Sequence, residues 1–355
     1  SPPAHADLQP GEVLGPYRIV DVLGEGGMGI VYLAEQSAPV RRLVAIKVLK
    51  PGMDSKAVLN RFHAEQQAMA LMDHPGIATV LQTGTTTSGR PWFAMEYIEG
   101  DRLGVYCDLH CLDTLDRLDL FARVCDAVQH AHQKGVIHRD LKPSNILITV
   151  DDYGQPHPRI IDFGIAKAMA EPLTEATLMT SQGQLVGTLA YMSPEQLDLS
   201  GALVDTRTDV YALGVVLYEL LSGQLPFETG TMHEVGIDSI RHTIRHAEPP
   251  KPSTRLTTID PSEATRIADS RSTRIDDLER QLRLELEWIP LKALRKSPDE
   301  RYYSPESMAA DVRRYLKGEP LEAGPPSRIY KLKKVLKRNK LPVATLAGFA
   351  ILLII

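Results

Sequence analysis

The sequence predicts an α+β chain in two lobes: a small antiparallel β lobe with one key helix, then a larger, mainly helical lobe. Three observations carry this. Within residues 17–50, β-type runs (Tyr17-Arg18-Ile19-Val20, Ile30-Val31-Tyr32-Leu33-Ala34, Val44-Ala45-Ile46-Lys47-Val48-Leu49) alternate with glycine clusters and polar residues, the pattern of a meander. Residues 55–72 switch to helical spacing, with Val58, Phe62, Met69 and Met72 broadly on one face. From about Leu115 the chain is mainly helical, and Leu118, Phe121, Ala122, Val124, Cys125 and Val128 supply a buried stripe ending near His132.

The elements follow in order. Residues 1–16, rich in proline and polar side chains, read as an N-terminal linker. The small lobe spans 17–98 and closes on strand-like Trp92-Phe93-Ala94-Met95-Glu96-Tyr97-Ile98; the large lobe spans 99–318. Inside it, residues 228–286 are polar and punctuated by Pro249-Pro250-Lys251-Pro252. They read as an irregular, mobile excursion with a charged helix from about Arg271 to Leu286. Ser304-Pro305-Glu306 reads as an N-cap, N1 proline and first-turn acid, opening a helix to about Leu316. A basic stretch over 319–340 precedes an uncharged apolar run over 341–355.

Composition narrows the function classes. With 355 residues, 43% hydrophobic and 24% charged, the chain is long enough for two domains and is neither disordered nor fibrous. A net charge of −5 argues against nucleic acid as a partner through bulk charge. Cys107, Cys111 and Cys125 have no metal-like spacing and fit a reducing, cytoplasmic setting. His130 and His132 lie two apart on a helix and face different sides, which disfavours a metal site.

Leu23-Gly24-Glu25-Gly26-Gly27-Met28-Gly29-Ile30-Val31 contains G-x-G-x-x-G-x-V. Backbone without Cβ atoms can lie close over phosphate oxygens. A dinucleotide-binding fold uses the same glycines but needs a helix straight after them. Here a β-type run follows, so that alternative falls, leaving a plain glycine-rich hairpin as the rival. Lys47, two strands on, would need a carboxylate to orient it on phosphates, and Glu65 in the helical stretch is the candidate.

His138-Arg139-Asp140-Leu141-Lys142-Pro143-Ser144-Asn145 comes next, and then Ile160-Ile161-Asp162-Phe163-Gly164. With the glycine loop and Val44-Ala45-Ile46-Lys47, these four motifs stand in the order of the eukaryotic-type protein kinases, and residues 17–316 resemble that family. The resemblance implies the bilobal protein-kinase fold and a catalytic set of Asp140, Lys142, Asn145, Lys47 and Glu65. Asp140 would accept the substrate hydroxyl's proton, Lys142 would neutralise the γ-phosphate, and Asn145 and Asp162 would hold Mg²⁺, or Mn²⁺ in its place. ATP would lie under Leu23, Gly24, Glu25, Gly26, Gly27, Met28 and Gly29. Val31, Ala45 and Leu147 would sandwich the base, the backbone of Glu96 and Ile98 would bond its edge, and Met95 would be the gatekeeper. His138 fits a packed scaffold role.

Lys142 and the segment Gly187-Thr188-Leu189-Ala190-Tyr191-Met192-Ser193-Pro194-Glu195 resemble the serine/threonine branch, with Thr188 expected to contact Asp140. Ser193 stands where the family has alanine. The resemblance also implies a Glu195–Arg301 pair and an Asp209 anchor beneath the catalytic loop. Arg139 offers a cation to an activation-loop phosphate, so autophosphorylation is expected at Thr180 or Ser181, with Thr177 a further candidate. Protein Ser/Thr hydroxyls would be the substrate, and a second copy of the chain a partner for phosphorylation in trans.

Arg328, Lys331, Lys333, Lys334, Lys337, Arg338 and Lys340 precede the fifteen uncharged residues 341–355. A span needs about 20 apolar residues, so this run reads as the start of a truncated transmembrane helix. Ser1 at one end and this run at the other predict a piece of a longer protein. By the positive-inside rule the catalytic part would be cytoplasmic, single-pass, at the cell (inner) membrane, as in bacterial receptor-like kinases. The rival readings are a catalytically inactive pseudokinase scaffold or nucleotide-binding module, and a small-molecule kinase of related fold.

Overall fold

The computed structural model describes residues 8–26, 29–50, 72–162, 189–198, 204–227 and 236–325, with 327, 329, 330 and 334. Its first part is a six-stranded antiparallel sheet: β1 (Val13–Leu14), β2 (Tyr17–Glu25), β3 (Gly29–Gln36), β4 (Arg42–Leu49), β5 (Val80–Thr85) and β6 (Pro91–Glu96), in the order β1-β2-β3-β4-β6-β5. Register divides its two faces. Ile30, Tyr32, Ala34, Val44, Ile46, Val48, Trp92 and Ala94 point one way into a core confined to this lobe. Ala45, Leu49, Phe93 and Met95 point the other way and join the core of the helical part. The central strand β4 is therefore buried on both sides, which is why its sequence runs apolar instead of alternating.

A three-stranded sheet, β7 (Asp101–Arg102), β8 (Ile146–Val150) and β9 (Pro156–Ile160), lies at the start of the large lobe. The Ile160 N–H donates to Gly76 O (2.8 Å) and the Ala78 N–H to Ile160 O (2.9 Å), tying the chain between β4 and β5 to β9. Helix α1 (Leu103–Leu109) leads to α2 (Thr114–Gln133), where Asp113 caps the start by accepting from Leu115 N (2.8 Å) and Asp116 N (2.9 Å). Such a cap contributes roughly 1 kcal/mol. Helix α3 (Arg207–Ser222) is buried nearly all round, and Gly214 lets it touch Ala293, where an added Cβ would come within 2.7 Å of that side chain.

Three stretches differ from expectation. Residues 228–286 are not an irregular excursion where described. They form α4 (Ile237–His246), α5 (Pro252–Thr258), α6 (Pro261–Asp269), α7 (Ile275–Gln281) and a π turn (Leu282–Leu286). Leu256, Ile267, Leu278, Leu282 and Leu286 belong to the main core. Pro252 and Pro261 sit in the first turns of their helices, where a missing N–H costs nothing, so residues that read as breakers are starts. The charged helix expected from about Arg271 to Leu286 is present over residues 275–286, and Arg271 precedes it. Arg271 is buried and donates to Leu220 O (2.8 Å), Leu221 O (3.0 Å) and Ile267 O (2.9 Å), satisfying terminal carbonyls of two helices.

The expected linkers are also partly structured. Leu14 is buried in the small-lobe core and the Gly11 N–H donates to Ile19 O (2.8 Å), so the sheet begins inside the N-terminal stretch. After α8 (Trp288–Ala293) and α9 (Pro305–Leu316), the chain folds back on the large lobe. Buried Asp311 accepts from Glu322 N (2.6 Å) and Ala323 N (2.8 Å), and Tyr330 meets Trp288 edge-on. Ser304 caps α9 in a reciprocal box with Ser307. Among the described residues no helix is long and apolar enough to cross a membrane; residues 341–355 lie outside them.

Candidate active site

The catalytic-loop candidates hang on a turn that ends in a short 3-10 helix, Pro143–Asn145, just before β8. Their backbone is fixed from below. Asp209 in α3 is fully buried and accepts from His138 N and Arg139 N, both at 2.8 Å. His132 at the end of α2 approaches the same carboxylate at 2.7 Å. Burial alone would raise the Asp209 pKa, but the His132 contact, the charge of His138 and the backbone donor bring it below the ordinary value. Arg139 adopts φ +63°, a left-handed conformation uncommon for a residue with a Cβ. The clamp on its N–H makes that conformation the satisfied one.

Above the clamp three candidates meet. The Asp140 carboxylate (Oδ2) receives Lys142 Nζ at 3.0 Å and Asn145 Nδ2 at 3.2 Å, and Asn145 Nδ2 also donates to Asp140 O at 2.9 Å. Because the Asn145 amide nitrogen is held by Asp140, its oxygen remains as the donor toward a cation. The Ile161 N–H donates to Asn145 O (2.9 Å), which brings Asp162 beside this group. Asp162 itself sits at φ +60°. His138, fully buried, has its pKa lowered by desolvation, against the raising effect of Asp209, Asp140 and Asp162.

Lys47 reaches the same place from the small lobe. It lies opposite Val31 on β3 and Phe93 on β6, and its ammonium binds both oxygens of Asp162, Oδ2 at 2.6 Å. Glu65, its expected partner, lies outside the described residues, as do Gly27, Met28, Thr177, Thr180, Ser181 and Thr188. Asp162 and Asn145 together present a carboxylate and an amide oxygen. Such a hard-oxygen pair fits Mg²⁺ or Mn²⁺, which keep few protein ligands and complete their shell with phosphates and water.

Of the nucleotide-pocket candidates, Val31 and Ala45 lie on the sheet face that packs toward the helical core. Ala45 is opposite Met95 and Leu33, one step along from the Val31–Lys47–Phe93 row. Leu147 on β8 pairs with Arg102 and Arg159, and Ile98 is buried at the junction. The Glu96 N–H is used on Thr79 O (2.9 Å), and its carboxylate binds Arg159 of β9. In the glycine loop the register shifts between Val22 and Gly24, exposing Leu23, and the Gly26 N–H donates to Gly29 O at 2.9 Å. Glu25 pairs with Lys50 at 3.1 Å. Gly29 is required by contact: a Cβ there would stand 2.3 Å from Val48 O. Gly24 has open space around it.

In the large lobe Arg301 donates to both oxygens of Glu195, at 2.7 and 2.8 Å, across 106 residues of sequence. Burial pushes Glu195 up, but the Arg301 bonds and charge outweigh it and hold its pKa below the ordinary range. Ser193 Oγ lies 3.3 Å from Thr208, whose hydroxyl donates to Glu195 at 2.8 Å. Sequence reasoning missed His132, Arg159 and Gln196. Only pairing in space distinguishes His132, on Asp209, from His130, whose ring lies against His74.

The model of the protein kinase domain family matches residues 17–302. The chain belongs to the protein kinase family. It is 35% identical over 314 residues to the serine/threonine-protein kinase PknB of Mycobacterium leprae, covering 86% of this chain and 44% of that one. Pkn1 of Myxococcus xanthus is 36% identical over 292 residues (82% and 37%), and PrkC of Bacillus subtilis 33% over 303 residues (85% and 40%); both are also named serine/threonine-protein kinases. The chain thus spans less than half the length of these relatives. Among solved structures it is similar to the PknI kinase domain of Mycobacterium tuberculosis, at 25% identity and TM-score 0.58, covering 86% of this chain and 99% of that one.

Proposed function

We propose that this kinase domain transfers the γ-phosphoryl group of ATP to serine or threonine hydroxyls of proteins. One observation carries the reading: the Asp140 carboxylate is held by Lys142 and Asn145 in the same site where Lys47 reaches Asp162. Phosphoryl transfer needs positioning and charge neutralisation more than covalent help. Asp140 orients the attacking hydroxyl and takes its proton as the oxygen–phosphorus bond forms and the bond to ADP breaks. Lys142, already on Asp140, is placed to offset charge on the transferring group. Asn145 and Asp162 would hold Mg²⁺, which supplies charge neutralisation between phosphates when bound. Lys47 would pass from Asp162 to the α- and β-phosphates, with Glu65 orienting it.

Val31, Ala45 and Leu147 are the proposed walls for adenine, with backbone of Glu96 and Ile98 at its edge. Autophosphorylation at Thr180, Ser181 or Thr177, with Arg139 as the acceptor of the new charge and Thr188 positioning substrate, extends the proposal. So does membrane attachment through residues 341–355, supported by the seven cations before them. The test is phosphate transfer from ATP with Mg²⁺ to a generic basic protein substrate, with and without chelator, followed by phosphosite mapping. Transfer to Ser/Thr that disappears with chelator and returns with Mg²⁺ or Mn²⁺ supports the reading. Folded protein that binds ATP without transfer replaces it with the pseudokinase reading.

A further inference from the structure

The catalytic-loop backbone is clamped on two sides, and the second clamp comes from outside the motifs. The Arg139 N–H is taken by Asp209, while the Arg139 carbonyl accepts from the side-chain amide of Gln196 at 2.8 Å. Gln196 lies in the segment that follows the expected phosphorylation sites. Its amide oxygen accepts from Ser193 N at 3.0 Å, with the Ser193 hydroxyl farther off at 3.4 Å. One partner is a donor and the other a carbonyl, so the direction of the amide is fixed: oxygen toward Ser193, nitrogen toward Arg139. The peptide so held joins Arg139, at φ +63°, to Asp140.

We propose that Gln196 is a positioning residue: its amide couples the backbone around Ser193 to the Arg139–Asp140 peptide and so sets the aim of the Asp140 carboxylate. The inference rests on the role proposed for Asp140 but adds a link that the family motifs do not contain. It also locates the departure at Ser193. That residue acts on Gln196 chiefly through its N–H, so replacing its hydroxyl removes only the longer contact to Gln196, together with the 3.3 Å contact to Thr208. A bridge between these segments gives whatever rearranges residues 189–198 a direct route to the attacking geometry.

Three variants separate this from plain packing. Gln196→Met keeps volume but can neither donate nor accept those bonds. Loss of the bonds to the Arg139 carbonyl and from Ser193 N should lower kcat about tenfold while the KM for ATP stays within about twofold. Gln196→Glu keeps the acceptor for Ser193; when ionised it sets an acceptor against the Arg139 carbonyl, and when protonated it donates again. A carboxyl with the ordinary pKa of about 4.3 is ionised throughout pH 6 to 8, so the kcat of Gln196→Glu relative to the parent should fall at least as far as that of the near-isosteric Gln196→Met. Ser193→Ala should cost less than about threefold.

Hydrogen exchange gives a readout independent of turnover. In Gln196→Met the amides of residues 138–140 should exchange several-fold faster, with α3 unchanged. Faster exchange there, with the kcat pattern above, supports the bridge. Unchanged exchange in residues 138–140, or equal acceleration in α3, overturns it. If the parent shows no transfer, the kinase reading fails, while the exchange comparison still decides whether Gln196 holds the loop.

Discussion

The two loops that face each other across the proposed ATP site are built differently. The loop at His138-Arg139-Asp140 is held by buried and half-buried polar side chains from distant sequence: Asp209 on two N–H groups, His132 on Asp209, and Gln196 on a carbonyl. The glycine loop, Gly24 to Gly29, is held where described by strand register, the bond from Gly26 N to Gly29 O and the close pass of Gly29 over β4. The difference follows from what each must do. A group that takes a proton has to be aimed within tenths of an ångström. A loop that covers phosphates needs open backbone and no side chain in the way.

The largest break in that comparison should come from the aimed group itself. Asp140→Ala should lower transfer by about 10²–10⁴-fold, the usual worth of a general base, with an unchanged melting temperature. Initial rates with saturating ATP, beside a thermal melt, check both halves. Next is the anchor. Asp209→Ala leaves His138 N, Arg139 N and His132 without their acceptor, and should cost roughly 3–5 kcal/mol in urea unfolding. A loss under about 1 kcal/mol would mean the loop is held elsewhere.

Acidity sharpens the same point. The folded-state pKa of Asp209 is below its ordinary value of 3.8, and that of Glu195 below 4.5. A depressed carboxylate contributes stability above its unfolded pKa and loses it as pH falls through the folded one. Stability contributed by both should be complete at neutral pH and fall away below about pH 4. Asp209→Asn should flatten this acid limb in urea unfolding at stepped pH. An acid limb identical to the parent's would remove Asp209 from the account.

On the glycine side the effects should be smaller. Gly29→Ala places a methyl 2.3 Å from Val48 O, so β3 or β4 must shift. We expect a loss of about 1–3 kcal/mol and a higher KM for ATP. Gly24→Ala meets nothing within 4 Å and should stay within about 0.5 kcal/mol of the parent. Equal effects at the two positions would show that loop flexibility, not the Gly29 contact, sets the requirement.

Legibility in the sequence tracks locality. Asp140, Lys142 and Asn145 lie within six residues, and the bonds among them close locally, so a linear motif captures their geometry. The strands of the small lobe are equally legible, because alternation and glycine punctuation are local signals. Helices α4 to α6 were not. Each has seven to ten residues and buries only a few side chains, and their prolines mark starts that resemble breaks. Their order comes from contacts such as Arg271 on the end of α3, which no local pattern encodes.

The sequence by itself determined the chemistry: which carboxylates, amides and ammonium groups are present, and their order along the chain. Tertiary structure decided how they are held. Which of two helical histidines meets Asp209, that Lys47 reaches Asp162, and that Gln196 closes on the Arg139 carbonyl are outcomes of satisfying buried polar groups across 57 to 115 residues of chain. A buried donor or acceptor must find a partner somewhere, and only the folded chain determines which one is within reach.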